Sequence, residues 1–202
     1  MADKGGVIAL VHADESCLGN GLDGFSPGGA ASIVEMCSVE GVERRDMHIS
    51  APDSTNNRMA LSGAIATFAL LCQEHERLTV VYVSDSQYLI KGMNEWVPTW
   101  RARGWKRKGG TIENLNLWKK LVQVTERHRT VWRWVRGHSG HPKNEYVNDL
   151  AMKAAADQTF SEGLEKSLFD QWLIQHRALG HFTEFDPDIE LAEIEAELAS
   201  KP

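Results

Sequence analysis

Thr55-Asn56-Asn57-Arg58-Met59-Ala60-Leu61 is the stretch of the chain that most constrains its fold. Thr55 is a credible helix N-cap, because its hydroxyl can accept a hydrogen bond from a backbone N–H of the first turn. After it, apolar residues recur at helical spacing, at Leu61, Ile65, Phe68 and Cys72. This pattern predicts an amphipathic helix that buries one face against a neighbouring element.

Two apolar runs, one on each side of this helix, predict buried strands. Residues 7–13 lead into Asp14, and residues 78–84 lead into Asp85. A sheet brings strand ends together, so we expect the two aspartates to lie close to each other. The remaining elements predicted from periodicity are strands at 30–38, 43–49 and 130–135 and helices near 86–93, 114–127 and 142–157. Strands followed by alternating helices and strands indicate an α/β fold with helices packed on a mixed sheet.

Charge divides the 202 residues into two parts. Residues 1–158 carry a net charge of +1 and residues 159–202 a net charge of -7, which together give the total of -6. Within 101–136, 11 basic residues face only two acidic ones, a balance typical of surfaces that bind phosphate backbones. We therefore predict a main domain at 1–158 and a C-terminal extension at 159–202. In the extension, the four-residue spacing predicts an amphipathic helix with one face formed by Leu164, Leu168, Trp172 and His176, followed by an acidic tail.

The cysteines and the N-terminus predict the compartment. Cys17, Cys37 and Cys72 are widely spaced and form no C-x-x-C pair, which argues against a disulfide framework. The apolar run at 7–11 is too short to span a membrane and lacks a cleavage region. We expect a cytoplasmic, monomeric protein with free thiols and no membrane association.

Three further motifs accompany the stretch 55–61. They are Asp14-Glu15-Ser16-Cys17-Leu18-Gly19-Asn20, Ser84-Asp85-Ser86-Gln87-Tyr88 and Gly137-His138-Ser139-Gly140-His141-Pro142. Together the four motifs resemble those of type 1 ribonuclease H, in order and at plausible spacing, across roughly residues 7–156. The resemblance implies that family's fold, a five-stranded mixed sheet flanked by helices. It also implies a metal-dependent endoribonuclease that cuts the RNA strand of RNA/DNA hybrids, leaving 3'-hydroxyl and 5'-phosphate ends.

The resemblance assigns metal binding to Asp14 and Asp85, and it exposes two departures from the family. Ala60 stands where the family has its catalytic glutamate, and Asn148 stands where it has its last aspartate. Carboxylate oxygens suit Mg2+ or Mn2+, and enzymes of this chemistry use two ions with substrate. Two missing negative charges should weaken at least one metal site unless another group compensates.

Glu15 is the candidate for that compensation, because the family more often has glycine directly after the first aspartate. Side chains alternate along a strand, so Glu15 should face away from Asp14. A bulge or an early turn at Asp14 could reverse that direction. Both readings stay open: Glu15 is a catalytic and metal-binding residue, or it is a solvated loop residue.

Asn148 and His138 complete the expected catalytic set. Asn148 keeps an oxygen that can bind a metal weakly or orient a water, although an asparagine on a helix can equally be an ordinary polar residue. By resemblance, His138 lies in a mobile loop beside the site and assists proton transfer or product release. The i, i+3 spacing of His138 and His141 could suggest a zinc site, but no second pair of ligands and no cysteine accompanies them. His141 is therefore expected to be a surface histidine.

An RNA/DNA hybrid is the partner that the resemblance implies. Amides can contact 2'-hydroxyls, and the amides at matching positions are Asn20, Asn56, Asn57 and Gln87. Thr55 matches a residue of the pocket that holds a phosphate of the DNA strand. The family's basic protrusion is matched by Trp100, Arg101, Arg103, Trp105, Lys106, Arg107 and Lys108.

Two other functions remain open on the sequence. The substitutions at Ala60 and Asn148, natural or engineered, are compatible with a protein that binds hybrids without cutting them. A DNA nuclease of the same fold is a third reading, against which the amides speak.

Overall fold

One mixed sheet organises the protein, which a computed structural model describes over residues 7–19, 25–38, 40–137 and 139–200. The sheet order is β5-β4-β1-β2-β3-β6, in which β1, β2 and β3 pair antiparallel while β4 and β5 run parallel to β1. The strands are β1 (Ile8–Cys17), β2 (Gly28–Ser38), β3 (Gly41–Ala51), β4 (Thr79–Ser84), β5 (Arg129–Trp134) and β6 (Glu165–Lys166). The mixed sheet expected from the sequence is thus confirmed.

Helices cover both faces of the sheet. They are α1 (Asn56–Glu74), α2 (Gln87–Lys91), α3 (Val97–Ala102), α4 (Leu115–Thr125), α5 (Pro142–Asp157), α6 (Phe169–Ala178) and α7 (Ile189–Ala199). A single π-helical turn, Gly92–Trp96, joins α2 to α3. In the part of the chain that the structure describes, no helix is both long and apolar enough to cross a membrane.

The prediction of five strands is wrong by one. The sixth strand, β6, comes from the C-terminal extension and pairs antiparallel with the edge of β3, through Arg45↔Lys166 and Asp46↔Glu165. Two residues are too few to show the alternation by which a strand is recognised in sequence. The extension therefore continues the sheet and covers part of the edge of β3, which would otherwise be open.

The first face of the sheet packs against α1 and α4. Thr55 caps α1 as predicted, since its hydroxyl accepts a hydrogen bond from the backbone N–H of Arg58 at 3.3 Å. Three of the four predicted apolar positions of α1, Leu61, Ile65 and Phe68, enter the core with Trp118 of α4. The fourth, Cys72, is only partly buried. The helix that begins the signature stretch is therefore held by a buried apolar face.

The second face packs against α5 and against both helices of the extension. Leu191 and Ile194 of α7 form a buried cluster with Leu10, Val81 and Val83 of the sheet. The segment that composition alone describes as an acidic tail is thus a helix with one buried face. Its few apolar residues are enough to hold α7 in place, because they pack on the apolar surface of the sheet.

The helix predicted around 164–176 is present, but its buried face differs from the prediction. Leu168 was expected to face inward and is exposed, whereas Phe169 and Leu173 of α6 are buried. A four-residue repeat that begins before the helix selects the wrong face, because α6 starts only at Phe169.

Replacing Leu191 by alanine should lower the free energy of unfolding by about 2–5 kcal/mol, the usual cost of truncating a fully buried leucine. The matched control is Ile189→Ala in the same helix, where half of the side chain is exposed and the loss should stay within about 0.5 kcal/mol. Urea unfolding of the full-length chain measures both. Equal losses for the two variants would mean that α7 does not dock on the sheet.

Candidate active site

Three carboxylates meet at one end of the sheet. Asp14 and Glu15 lie near the end of β1, and Asp85 directly follows β4. One oxygen from each lies within 4.8 Å of the others. We call these three residues the acidic cluster. The expected meeting of Asp14 with Asp85 is confirmed, and Glu15 joins them.

Glu15 reaches the cluster without a bulge in β1. The pairing with β2 runs from Ala9↔Met36 to Cys17↔Gly28 with no extra residue, so side chains alternate normally. Glu15 pairs with Ala30, whose side chain faces α1, whereas Asp14 lies on the side of α5. The two carboxylates can still meet, because the pairing of β4 with β1 ends at Ala13↔Ser84. Beyond that pair no β4 backbone separates the two sides.

Burial and mutual repulsion make the acidic cluster hard to ionise. Burial, followed by the charge of Asp85, raises the pKa of Asp14 to about 7. Burial, followed by the charges of Asp14 and Asp85, raises the pKa of Glu15 to about 8. Among the ion pairs of the described residues, none supplies a cation to Asp14 or Glu15. A divalent cation would relieve this repulsion, and oxygen ligands at this spacing fit one.

Hydrogen bonds orient the carboxylates. Asn144 of α5 donates from Nδ2 to Oδ2 of Asp14 at 3.1 Å, and the backbone N–H of Glu15 donates to Oδ1 of Asp14 at 2.7 Å. The Ser86 hydroxyl hydrogen-bonds the carboxylate of Glu15. No local pattern in the sequence singles out Asn144 as a site residue, although it lies one helical turn before Asn148.

Asn148 lies on the same side of α5 as Asn144, since residues four apart share a helix face. Its described hydrogen bond is local, from Nδ2 to Sδ of Met152 at 3.6 Å. Ala60 lies near the start of α1 and is buried in the core, with only 4% of its surface exposed. The role of Asn148 stays a prediction, while Ala60 offers no polar atom in its side chain.

Gly137 permits the position of Asp85 and was also not selected from the sequence. A Cβ at Gly137 would lie 2.0 Å from Oδ2 of Asp85. Any side chain there would displace the carboxylate of Asp85 from this position. The glycine of the Gly137-His138 motif is therefore required by the packing of the site, a constraint that no local pattern reveals.

The predicted substrate residues surround the starts of two helices. Thr55 and Asn56 are exposed and Asn57 is half-buried at the start of α1, while Gln87 is exposed at the start of α2. Gln87 accepts a hydrogen bond from Nζ of Lys91 at 3.1 Å. Asn20 and His138 lie outside the described residues.

The basic segment, residues 101–108, presents mostly exposed cations. Arg101 pairs with Glu126 at 2.7 Å. Over the described ranges no ion pair involves Arg103, Lys106, Arg107 or Lys108. The aromatic residues are more constrained: Trp100 packs edge-on against Trp118, and Lys119 lies over the ring of Trp105 at 5.8 Å.

His141 is not the surface histidine that the sequence suggested. Its ring is half-buried and stacks on His12 of β1, with centroids 5.0 Å apart. Burial, followed by His12, lowers the pKa of His141 to about 4. The contact joins residues 129 positions apart, so local sequence could not show it.

Clustered carboxylates that can hold divalent cations are typical of enzymes that transfer or hydrolyse phosphodiesters. Here they lie at the end of a mixed α/β sheet. The RNase H family model matches residues 8–156, and the chain belongs to that family.

Curated relatives are similar over most of their length. The ribonuclease H of Xanthomonas oryzae pv. oryzae (strain MAFF 311018) is 42% identical over 149 residues, which cover 73% of this chain and 92% of the relative. The ribonuclease H of Thiobacillus denitrificans is 37% identical over 145 residues, covering 71% and 90%.

Solved structures show the same fold. LC9-RNase H1, described as a type 1 RNase H with the type 2 active-site motif, is 48% identical with a TM-score of 0.78, covering 85% of this chain and 82% of its own. That coverage, about 172 residues, passes the end of the family match and enters the extension. LC11-RNase H1, solved with an RNA/DNA hybrid, is 13% identical with a TM-score of 0.54 over 74% of this chain and 98% of its own, which supports the fold alone.

Stability of the metal-free protein should fall as pH rises. The folded-state pKa values of Asp14 and Glu15, about 7 and 8, exceed the value of about 4 in unfolded chains. The folded state therefore binds more protons across this window, and the stability that they contribute is present below about pH 4 and lost through about pH 8.

Thermal unfolding between about pH 5 and 9 tests this linkage. Glu15→Gln cannot ionise and relieves Asp14, so its melting temperature should decline less than that of the parent. Glu76→Gln, at an exposed position on a loop, should follow the parent. If the melting temperatures of all three proteins declined equally with pH, the raised pKa values of Asp14 and Glu15 would be contradicted.

Proposed function

We propose that this protein is a metal-dependent endoribonuclease that hydrolyses the RNA strand of RNA/DNA hybrids to 3'-hydroxyl and 5'-phosphate ends. The observation that carries the proposal is the meeting of three carboxylate oxygens within 4.8 Å in a chain of the RNase H family. The names of the curated relatives support the reaction. The type 2 motif reported for LC9-RNase H1 supports an altered set of carboxylates in a type 1 protein.

Asp14, Glu15 and Asp85 would hold Mg2+ or Mn2+, with two ions when substrate is bound, and Asn148 would add a neutral oxygen. When bound, such ions supply an activated water and stabilise the leaving 3'-oxygen. Glu15 provides the charge that Ala60 lacks, from the same side of the sheet as α1. The longer reach of Glu15 from β1 thus replaces a side chain from α1.

The remaining polar groups fix the geometry. Asn144 and the Glu15 backbone N–H orient Asp14, and the Ser86 hydroxyl orients Glu15. These contacts hold the oxygens in place before substrate arrives, which reduces the reorganisation needed during the reaction. His138 would assist proton transfer or product release, the role that the resemblance implies for it.

The hybrid would lie across the starts of α1 and α2 and along the basic segment. Amides of Asn20, Asn56, Asn57 and Gln87 would contact 2'-hydroxyls, Thr55 a phosphate, and Trp100, Trp105 and the cations of the basic segment the DNA strand. We propose that the protein acts as a monomer in the cytoplasm. The rival function is binding of hybrids without cleavage. It is favoured by the two uncharged residues, Ala60 and Asn148, at positions where the family has carboxylates.

Cleavage of a labelled RNA/DNA duplex tests the proposal, with duplex DNA and duplex RNA as controls. We expect cleavage of the RNA strand alone, faster with Mn2+ than with Mg2+, because Mn2+ binds sites of nitrogen and oxygen ligands more strongly. Tight binding without cleavage in either metal would favour the rival.

Glu15→Gln should lower the cleavage rate by on the order of 10²-fold, about 2.7 kcal/mol of barrier, because it removes a metal-binding charge. Ala60→Glu in the same background should restore part of the rate. Glu76→Gln serves as the matched control and should cleave like the parent. A loss below about threefold for Glu15→Gln, well under one power of ten, would remove Glu15 from the mechanism.

Gly137→Ala should reduce cleavage by on the order of 10²-fold, because displacement of a reacting group by about 1 Å has effects of that size. Gly163→Ala is the control, since a Cβ there meets nothing within 4 Å. Both variants should bind hybrid as the parent does. An unimpaired Gly137→Ala variant would show that Asp85 can act from another position.

A further inference from the structure

A second group of metal-binding side chains lies behind the acidic cluster, between β1, α5 and α7. His12, His141 and Glu190 each present one nitrogen or oxygen, and these atoms lie within 4.8 Å of one another. We call them the histidine cluster. His12 is almost fully buried, at 2% exposure, and the other two are half-buried.

We propose that the histidine cluster binds a transition-metal dication of the zinc class, separately from the acidic cluster. Two imidazoles and one carboxylate form a donor set that zinc accepts in proteins. Mg2+ prefers oxygen ligands and should not compete there. The two clusters therefore differ in the chemistry of the ion that each selects.

Distances within the histidine cluster fit such an ion. Nε2 of His12 lies 3.0 Å from Oε1 of Glu190, and Nε2 of His141 lies 3.6 Å from Oε2 of the same carboxylate. Ligands about 2.0–2.1 Å from a tetrahedral zinc ion are roughly 3.3–3.4 Å apart. The two separations, to different oxygens of the Glu190 carboxylate, lie on either side of that value. The two imidazole rings stack nearly parallel, so binding of one ion requires them to rotate until both Nε2 atoms point at it.

The surrounding charges also favour a cation. Glu35, Asp170 and Asp188 pair with Arg44, while Glu35 and Glu190 pair with Lys143. Four carboxylates and two cations leave this connected network with a net charge of -2, which one dication would neutralise.

Lys143 also holds the carboxylate ligand in place. Its Nζ donates to Oε2 of Glu190 at 3.1 Å, which leaves Oε1 available to an ion. Carboxylates that bind metals are commonly held by such hydrogen bonds. The ammonium group of Lys143 would therefore orient the Glu190 carboxylate without binding the metal itself.

With three protein ligands, a tetrahedral zinc ion in the histidine cluster would take water as its fourth ligand. Zinc sites with three protein ligands keep that fourth position open. An open depression of about 570 Å3, lined by Ser139, His141, Phe182 and Phe185 among others, adjoins His141. Solvent can therefore approach the cluster from that side.

Bound metal would join three parts of the fold. It would fasten the first turn of α7 to β1 and to the residue that precedes α5. Because an ion that binds only the folded state adds to its stability, Zn2+ would strengthen the docking of the extension. His141 is also four residues from Gly137, so the ion would restrain the segment beside Asp85.

Zinc titration of the metal-stripped, full-length protein tests the proposal, with Mg2+ in large excess to occupy the acidic cluster. Calorimetry should show one Zn2+ site per chain. His141→Ala and Glu190→Gln should each weaken it by about 100-fold or more, because loss even of a group that only orients a ligand costs about 10–100-fold. His181→Ala, at an exposed histidine of the extension, is the matched control and should bind like the parent.

A measurement on the unaltered protein covers the case in which a variant fails to fold. Imidazole nitrogen resonances of His12 and His141 should shift on addition of Zn2+, while those of His181 should not. Zinc affinity that is unchanged in both variants, or unshifted resonances of His12 and His141, would overturn the proposal. The cluster would then be an internal ion pair alone.

Discussion

The parallel pairing of β1 with β4 determines which side chains can meet at the active site. Because the register places Ala13 opposite Ser84, the next residue of each strand is an aspartate at the same end of the sheet. Two further elements complete the site: α5 places Asn144 against Asp14, and the segment after β5 places Gly137 against Asp85. The three carboxylates of the acidic cluster depend on that one register, since a shift of one residue would turn side chains of the strand to the opposite face.

In the proposed mechanism, Glu15 of the acidic cluster replaces, from another element, a missing glutamate. A side chain at position 60 would approach from α1, and Glu15 approaches from β1 on the same side of the sheet. Burial first, and repulsion between carboxylates of the cluster second, raise the pKa values of Asp14 and Glu15 when no cation is bound. A site that destabilises its own metal-free form is suited to hold divalent cations, because the ion removes this repulsion.

Local patterns predicted the strands, α1 and the approach of Asp14 to Asp85, because each depends on periodicity or on residues at strand ends. Glu15 remained open, since alternation gives the direction of a side chain but not how far it reaches past the end of β4. Contacts between distant segments could not be predicted: β6 is too short to show a period, and His12 meets Glu190 across 178 positions. Gly137 was missed for the same reason, because its constraint comes from Asp85 rather than from its own turn.

The acidic extension also separates charge between the two faces of the protein. Its carboxylates Asp188, Glu190 and Glu197 pair with cations of the body, Arg44, Lys143 and Arg133. These pairs are grouped around α7 on the second face, whereas the basic segment lies with α3 and α4 on the first. A nucleic-acid backbone would be repelled from the extension and attracted to the first face. The net charge of -6 is therefore compatible with binding of an RNA/DNA hybrid. The excess negative charge belongs to the extension on the second face, and the hybrid would contact only the first face.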